Sequence, residues 1–408
     1  MRPAAVPTAR DIGAERGNLT LCTLHTHKSR LDVRLRMISG HATAEGTQRI
    51  AEMSGAHHDN YKVVDGLHLS NVGMGTYLGD ADDATDRAVT DAVKRSIKSG
   101  INVIDTAINY RLQRAERSVG RAVTELSEEG LVSRDQIFIS TKAGYVTNDS
   151  EVSLDFWEYV KKEYVGGGVI QSGDISSGYH CMKPAYLEDQ LKRSLANMNV
   201  DCIDLVYVHN PVEGQIKDRP VPEILEGIGE AFAMYEKMRE AGRIRYYGLA
   251  TWECFRVAEG DPQSMQLEAV VKKAKDAGGE NHGFRFIQLP FNQYFDQAYM
   301  VKNQGTGGGK SSILEAAAAL DIGVFTSVPF MQGKLLEPGL LPEFGGLSPA
   351  LRSLQFIRST PGVLAPLPGH KSSLHTDENL KIMGVPPIPP DKFGELVASL
   401  TSWSPGQK

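Results

Sequence analysis

From about residue 61 onward, two hydrophobic patterns alternate along the chain. Short runs rich in Val, Ile, Phe and Tyr fit strands, and longer stretches with apolar residues every three or four positions fit helices. The strand-like runs read NVGMG, INVIDTA, IFISTKAG, IDLVYVHNP, IRYYGLAT, FRFIQLPFN, GVFTSVPF and GVLAPLPG, and a helical pattern follows each. One helix shows the period well: Leu187, Leu191, Leu195 and Met198 form a single apolar stripe behind Pro184, which suits a first helical turn. Apolar strands alternating with helices imply a parallel sheet buried on both faces. Eight such units over roughly 320 residues predict a closed (β/α)8 TIM barrel rather than an open sheet. Before the first unit, two extended runs joined by Asp65-Gly66 predict a β-hairpin, because that pair tolerates positive φ.

The predicted division is therefore a barrel over residues 61–408 and an N-terminal extension over residues 1–60. The first 36 residues carry six arginines and Lys28 against three acids, with no clean periodicity. A targeting segment and a disordered tail both suit that composition. Two stretches exceed ordinary loop length, residues 145–183 and 293–312, and both follow strands. On a barrel this places them at the C-terminal face, where such loops commonly reach substrate. The second holds GTGGGKSS, which resembles a phosphate-cradling loop. Its first glycine is Gly305, one position too close to Gly309 and Lys310 for that motif. Its serines, Ser311 or Ser312, suit a helix cap, and its glycines a flap near the site.

Composition narrows the class. The 408 residues are 41% hydrophobic, with a net charge of −6, which argues against a nucleic-acid protein. No apolar run is long enough to span a membrane. Four scattered cysteines, Cys22, Cys181, Cys202 and Cys254, lack metal-ligand spacing and fit free thiols in a reducing, cytoplasmic setting, with organelle targeting by the extension left open. The histidine pairs 25/27 and 57/58 have no companions at metal spacing, so no metal is expected. GMGTYLG has Leu78 where a dinucleotide fingerprint needs its third glycine.

Chemistry gathers at the strand ends. Asp105 ends INVID, Lys142 ends IFISTK, His209 ends DLVYVH, and Tyr110 lies in the loop after Asp105. Any one of these suits a structural role. Together they suit proton donation to a carbonyl oxygen: the lysine favours the phenolate, the carboxylate holds the lysine, and the histidine aligns the substrate. Such a group supplies no electrons, so reduction needs a hydride cofactor.

At this point the chain resembles the aldo-keto reductases. GINVIDTAINYRLQRAERSVGRAV is similar to that family's signature, FISTKAG to its lysine strand and CIDLVYVHNP to its histidine strand, in matching order. FIQLPFNQY and PGHKSSLHTDENL resemble its cofactor-binding segments. The resemblance spans about residues 61–385. It implies NADPH, NADP(H) being the expected cofactor, and a small-molecule aldehyde or ketone reduced with Tyr110 as proton donor beside Lys142, Asp105 and His209. By family position, Thr251 and Gln288 hold the nicotinamide amide. Ser327, Gln332, Gly333, Lys334 and Leu335 line the diphosphate. Gly369, Lys371, Ser372, His375, Glu378 and Asn379 take the adenosine end, Lys371 favouring a 2′-phosphate by charge-assisted hydrogen bonding. The alternative is a cofactor-binding regulatory protein on the same barrel with little turnover. Two departures stand out. Ala250-Thr251 occupies the usual Ser-Asn position, and Arg111 the usual glycine after the tyrosine. Arg111, Gln113 and Arg114 suit either a polar substrate or a solvated loop. Substrate identity and oligomeric state are not legible.

Overall fold

The computed structural model describes residues 37–337, 339–370 and 372–401. The expectations for residues 1–36, including Cys22, and for Lys371 lie outside the described residues. All the described residues belong to one compact unit.

The hairpin forms as the Asp65-Gly66 pair predicts. Strands β1 (Tyr61–Val64) and β2 (Leu67–Ser70) pair antiparallel around it. Eight strands then build one parallel sheet: β3 (Met74–Gly75), β4 (Val103–Asp105), β5 (Phe138–Ala143), β6 (Ile203–His209), β7 (Ile244–Ala250), β8 (Phe284–Pro290), β11 (Gly323–Ser327) and β12 (Val363–Pro366). They stand in chain order, as a (β/α)8 barrel requires. The seam between first and last strands is closed by backbone bonds, Gly73 N to Pro366 O at 2.9 Å and Gly75 N to Pro368 O at 2.8 Å. Close approach dictates the glycines here: a Cβ on Gly73 would lie 2.6 Å from Leu367 Cδ2.

The helices pack outside. In chain order they are α1 (Ala44–Met53), α2 (Asp83–Lys98), α3 (Arg114–Glu128), α4 (Phe156–Tyr159), α5 (Pro184–Met198), α6 (Val221–Glu240), α7 (Leu267–Gly278), α8 (Gln297–Met300), α9 (Ile313–Ala319), α10 (Pro349–Ser359), α11 (Ser373–Leu380) and α12 (Pro390–Thr401). The predicted stripe of α5 is buried at all four positions, and Pro184 sits in its first turn. Among the described residues no helix is long and apolar enough to cross a membrane.

Strand alternation divides the side chains. Ile104, Ile139, Val206, Val208, Leu249, Ile287 and Val324 face the helices in the large outer core. The alternate residues Phe138, Leu205, Tyr207, Tyr246, Phe286 and Phe325 fill the barrel, joined at one end by Leu67 and Leu69 of the hairpin. Phe286 packs 5.5 Å from Phe138 and 5.6 Å from Phe325, ring centre to ring centre. The same period carries on to Lys142, His209, Gln288 and Asp105 at the strands' carboxyl ends. An aromatic plug thus fills the bottom and leaves a polar layer at the top.

The segment before the hairpin packs against the barrel. Ile38 bridges Val200, and Thr43 caps α1 by accepting from Gly46 N. The anchor is Asp204, which accepts from Ala42 N at 2.7 Å, Ile139 N at 2.8 Å and Arg134 at 2.6 Å. Both charges of that pair are buried. The glycine-rich stretch forms a second hairpin, β9 (Gln304–Thr306) and β10 (Gly309–Ser311), turning at Gly307-Gly308. Gln266 and Gln304 side chains tie it to the start of α7, Lys310 pairs with Glu259, and Ser312 caps α9.

Removing the Asp204 anion would strand Arg134 and two N–H groups. Asp204→Ala is expected to cost roughly 3–5 kcal/mol, read by urea denaturation, because a buried charge loses its partner.

Candidate active site

One cleft of about 700 Å³ opens at the carboxyl ends of the strands. That size suits a bound small molecule. Its floor holds a buried ion pair, Lys142 Nζ to Asp105 Oδ2 at 2.5 Å, with side chains 1% and 5% exposed. The pair is fully bonded: Lys142 also donates to Thr106 O at 2.8 Å, and Asp105 Oδ1 accepts from Ser140 at 2.8 Å and Gln288 at 3.0 Å. Tyr110 lies above it, with Lys142 Nζ 4.8 Å from its ring centre. The ring meets Tyr77 at 5.0 Å and His209 at 5.9 Å. Asp105, Tyr110, Lys142 and His209 are therefore one cluster.

Burial governs the protonation states. It raises the Tyr110 phenol above its usual value, and the Lys142 charge offsets part of that rise. The lysine lowers the phenol's pKa as expected, but burial outweighs it, so the bare site holds a neutral phenol. For Lys142, burial opposes the charge, but Asp105 and Tyr110 overcome it and hold the pKa above the ordinary lysine value. His209 is pushed well below the usual range by burial and then by the Lys142 charge, so its imidazole is neutral.

The insertion after β5 supports His209 from behind. His180 Nε2 donates to His209 O at 2.7 Å and Nδ1 accepts from Gln215 at 3.1 Å, an arrangement that sets its tautomer. Tyr145 packs edge-on against both rings, at 5.3 and 5.0 Å, and its hydroxyl accepts from Asn210 at 3.3 Å.

Of the residues assigned to a cofactor, Thr251, Gln288, Ser327, Gln332, Gly333, Gly369, His375, Glu378 and Asn379 line the cleft. Lys334, Leu335 and Ser372 do not. Leu335 is buried, Lys334 is exposed, and Leu336 faces the cleft instead. The cause is a kink with positive φ at Met331, Gln332 and Gly333, following Val328 at 57°. Left-handed conformations at residues with a Cβ cost roughly 1–3 kcal/mol each and cluster at ligand sites.

The donor set fits a nicotinamide dinucleotide. Amides, hydroxyls and the kinked peptide run line one continuous groove. Buried polar atoms there lack hydrogen-bond partners among the described residues: Asn109 Oδ1, His209 Nδ1, His370 Nε2 and Thr251 Oγ1, the last with only the Cys254 thiol beside it. Asn109, Asn210, Tyr77 and His370 are lining residues that the strand pattern does not single out. Each lies within four residues of a strand's carboxyl end, the one signal available. Trp252, which follows Thr251, also lines the cleft.

Other expectations change. Arg111 pairs with Asp86, and Arg114 with Asp83 and Asp86, so both point at α2 rather than at a substrate. Gln113 bonds Asn148 O and Asn197. The 304–311 hairpin contributes nothing to the cleft lining, so it is no flap over this site.

Barrel, seam and cluster together define the class. The family model for the aldo/keto reductase family matches residues 71–276. The chain belongs to that family. Among curated proteins it is 26% identical over 198 residues to the NADH-specific methylglyoxal reductase of Escherichia coli, covering 47% of this chain and 52% of that protein. It is 24% identical over 282 residues to the NAD(P)H-dependent D-xylose reductase of Scheffersomyces stipitis, covering 62% and 73%. The chain spans about half the length of most of the curated relatives it matches. Among solved structures, an aldo/keto reductase from Klebsiella pneumoniae in complex with NADP and acetate superposes with a TM-score of 0.56 at 19% identity, over 86% of this chain and 97% of that one. At that identity the likeness establishes the fold.

The neutral histidines give a pH prediction. His180 and His370 are held near a pKa of about 4 by burial, and His209 well below 6.5. The unfolded chain binds protons at these sites first, so stability is full above about pH 6.5 and falls as pH drops towards about 4, by about 1.4 kcal/mol per unit for each group. Thermal midpoints at pH 7.5 and pH 5 are expected to show the loss.

Proposed function

We propose that the protein reduces an aldehyde or ketone to an alcohol with NADPH. One observation carries this reading: the Tyr110 phenol stands over a buried, bonded lysine–aspartate pair at the floor of a cleft of about 700 Å³ that most of the residues expected to hold the cofactor line. NADPH supplies the hydride when bound. Thr251 and Gln288 would hold its amide, peptide groups of residues 327–333 its diphosphate, and Glu378, Asn379 and His375 its adenosine end. Lys371 is assigned the 2′-phosphate from its place in the sequence.

Tyr110 gives its hydroxyl proton to the carbonyl oxygen. The phenolate that forms is stabilised by the Lys142 ammonium, which Asp105 keeps charged and in place. His209, being neutral, hydrogen-bonds the carbonyl without adding a charge that Lys142 would repel. Tyr77, Tyr145 and Trp252 wall the substrate end and exclude water. Ala250 offers the cofactor no side-chain hydrogen bond, which leaves Thr251 as the polar group of that pair. The bonded Lys142–Asp105 pair favours turnover over a purely regulatory binding role.

Tyr110→Phe is expected to lower kcat by roughly 10²–10⁴-fold, the usual worth of a general acid, while NADPH still quenches tryptophan fluorescence. Unchanged carbonyl reduction would remove Tyr110 from the reaction. For the cofactor, Lys371→Ala is expected to weaken NADPH binding by roughly tenfold or more and to spare NADH, as loss of a charge-assisted bond implies. Equal effects on both would refute the 2′-phosphate assignment.

A further inference from the structure

The residues after Tyr110 adopt a backbone that their types avoid. Arg111, Leu112 and Gln113 have φ of 49°, 55° and 74°. Residues with a Cβ visit this region singly, and a consecutive run persists only where its surroundings over-determine it. Two sets of contacts do so here. On the barrel side, the Arg111 side chain is 2% exposed and pairs with Asp86 of α2, itself 13% exposed. Arg111 also donates to Ser118 Oγ at 3.1 Å. The second Asp86 oxygen accepts from Arg114 Nε at 2.8 Å. On the other side the insertion grips the turn: Ser150 N donates to Leu112 O at 3.2 Å, and Gln113 Nε2 to Asn148 O at 3.3 Å. Arg117 and Asp149 complete the clasp at 2.6 Å.

The geometry points to the Asp86–Arg111 ion pair as a positioning device for Tyr110. The pair holds the left-handed turn, the turn fixes where α3 begins, and the phenol is thereby held over Lys142. Neither Asp86 nor Arg111 lines the cleft, so each acts through Tyr110 and touches no reacting atom. A glycine after the tyrosine would reach the same backbone unaided but would leave it mobile. This chain uses an arginine there and locks the turn by charge. The inference rests on the reading of Tyr110 as proton donor.

Asp86→Asn keeps the side-chain volume and removes the charge. At saturating cofactor and substrate, well below the melting temperature, kcat is expected to fall roughly tenfold to a hundredfold, as a displaced catalytic group implies, with KM and NADPH affinity little changed. Asp86→Asn combined with Arg111→Gly is expected to recover kcat to within about threefold of the parent, because glycine takes positive φ freely, the buried Arg111 guanidinium is gone and Arg114 keeps Asp83 as its partner. If Asp86→Asn does not fold, Arg111→Lys tests the same contact. A lysine cannot span Asp86 and Ser118 together, so the same loss of kcat is expected. A folded single variant with unchanged kcat overturns the inference. So does a loss that vanishes when rates are normalised to folded protein, or a double variant no faster than the single. Tyr110→Phe is measured alongside. If it stays fully active, the proton-donor reading falls and the inference with it. If it is inactive while Asp86→Asn is fully active, only the positioning inference falls.

Discussion

A lysine and an aspartate buried side by side impose the tightest constraint in this molecule. Taking two charges out of water costs several kcal/mol each, and their attraction compensates only when the remaining hydrogen-bonding capacity is filled. Here the partners come from across the barrel: Asp105 from β4, Ser140 and Lys142 from β5, and Gln288 from β8. The pair therefore fixes how those strand ends face one another. It also explains why the interior changes character along its length. Below, Phe138, Phe286 and Phe325 exclude water; above, Lys142 and Asp105 are bonded before any ligand arrives, while His209 Nδ1 has no partner among the described residues.

The strands made this layer legible. Lys142 and His209 stand out as strand ends as soon as the strands are recognised, Gln288 comes from the family resemblance, and a parallel sheet gathers their carboxyl ends. The Asp65-Gly66 hairpin and the Ser312 cap are legible for the same reason, being local choices with local causes. Contacts distant in sequence are not. Arg111 and Arg114 suit either a substrate or a solvated loop until Asp86, on another helix, is seen to hold them. Leu335 and Leu336 exchange roles because of a backbone kink that residue types do not announce. GTGGGKSS reads as a flap, yet it forms a hairpin that Gln266, before α7, and its own Gln304 fasten to the start of that helix.

The insertion after β5 links otherwise separate parts of the site. It has its own apolar cluster of Val146, Tyr159, Val160, Tyr164, Ile170, Cys181 and Tyr186, so its shape does not depend on a ligand. From this firm base His180 reaches under the histidine strand, Tyr145 forms a wall of the cleft, and Asn148 and Ser150 grip the turn after the tyrosine. One loop thus braces two members of the cluster from outside the barrel.

The seam gives the barrel a particular mechanical character. Gly73 and Gly75 present no side chains where the first strand meets the last, so the join is made of hydrogen bonds between backbone groups and the packing of Leu367. The chain leaving that join continues directly into Gly369 and α11, the stretch assigned to the cofactor's adenosine end. Closure and grip are therefore consecutive parts of one strap. A ligand lying along the groove would act as its buckle, fastening the line along which a barrel of this construction would otherwise come undone.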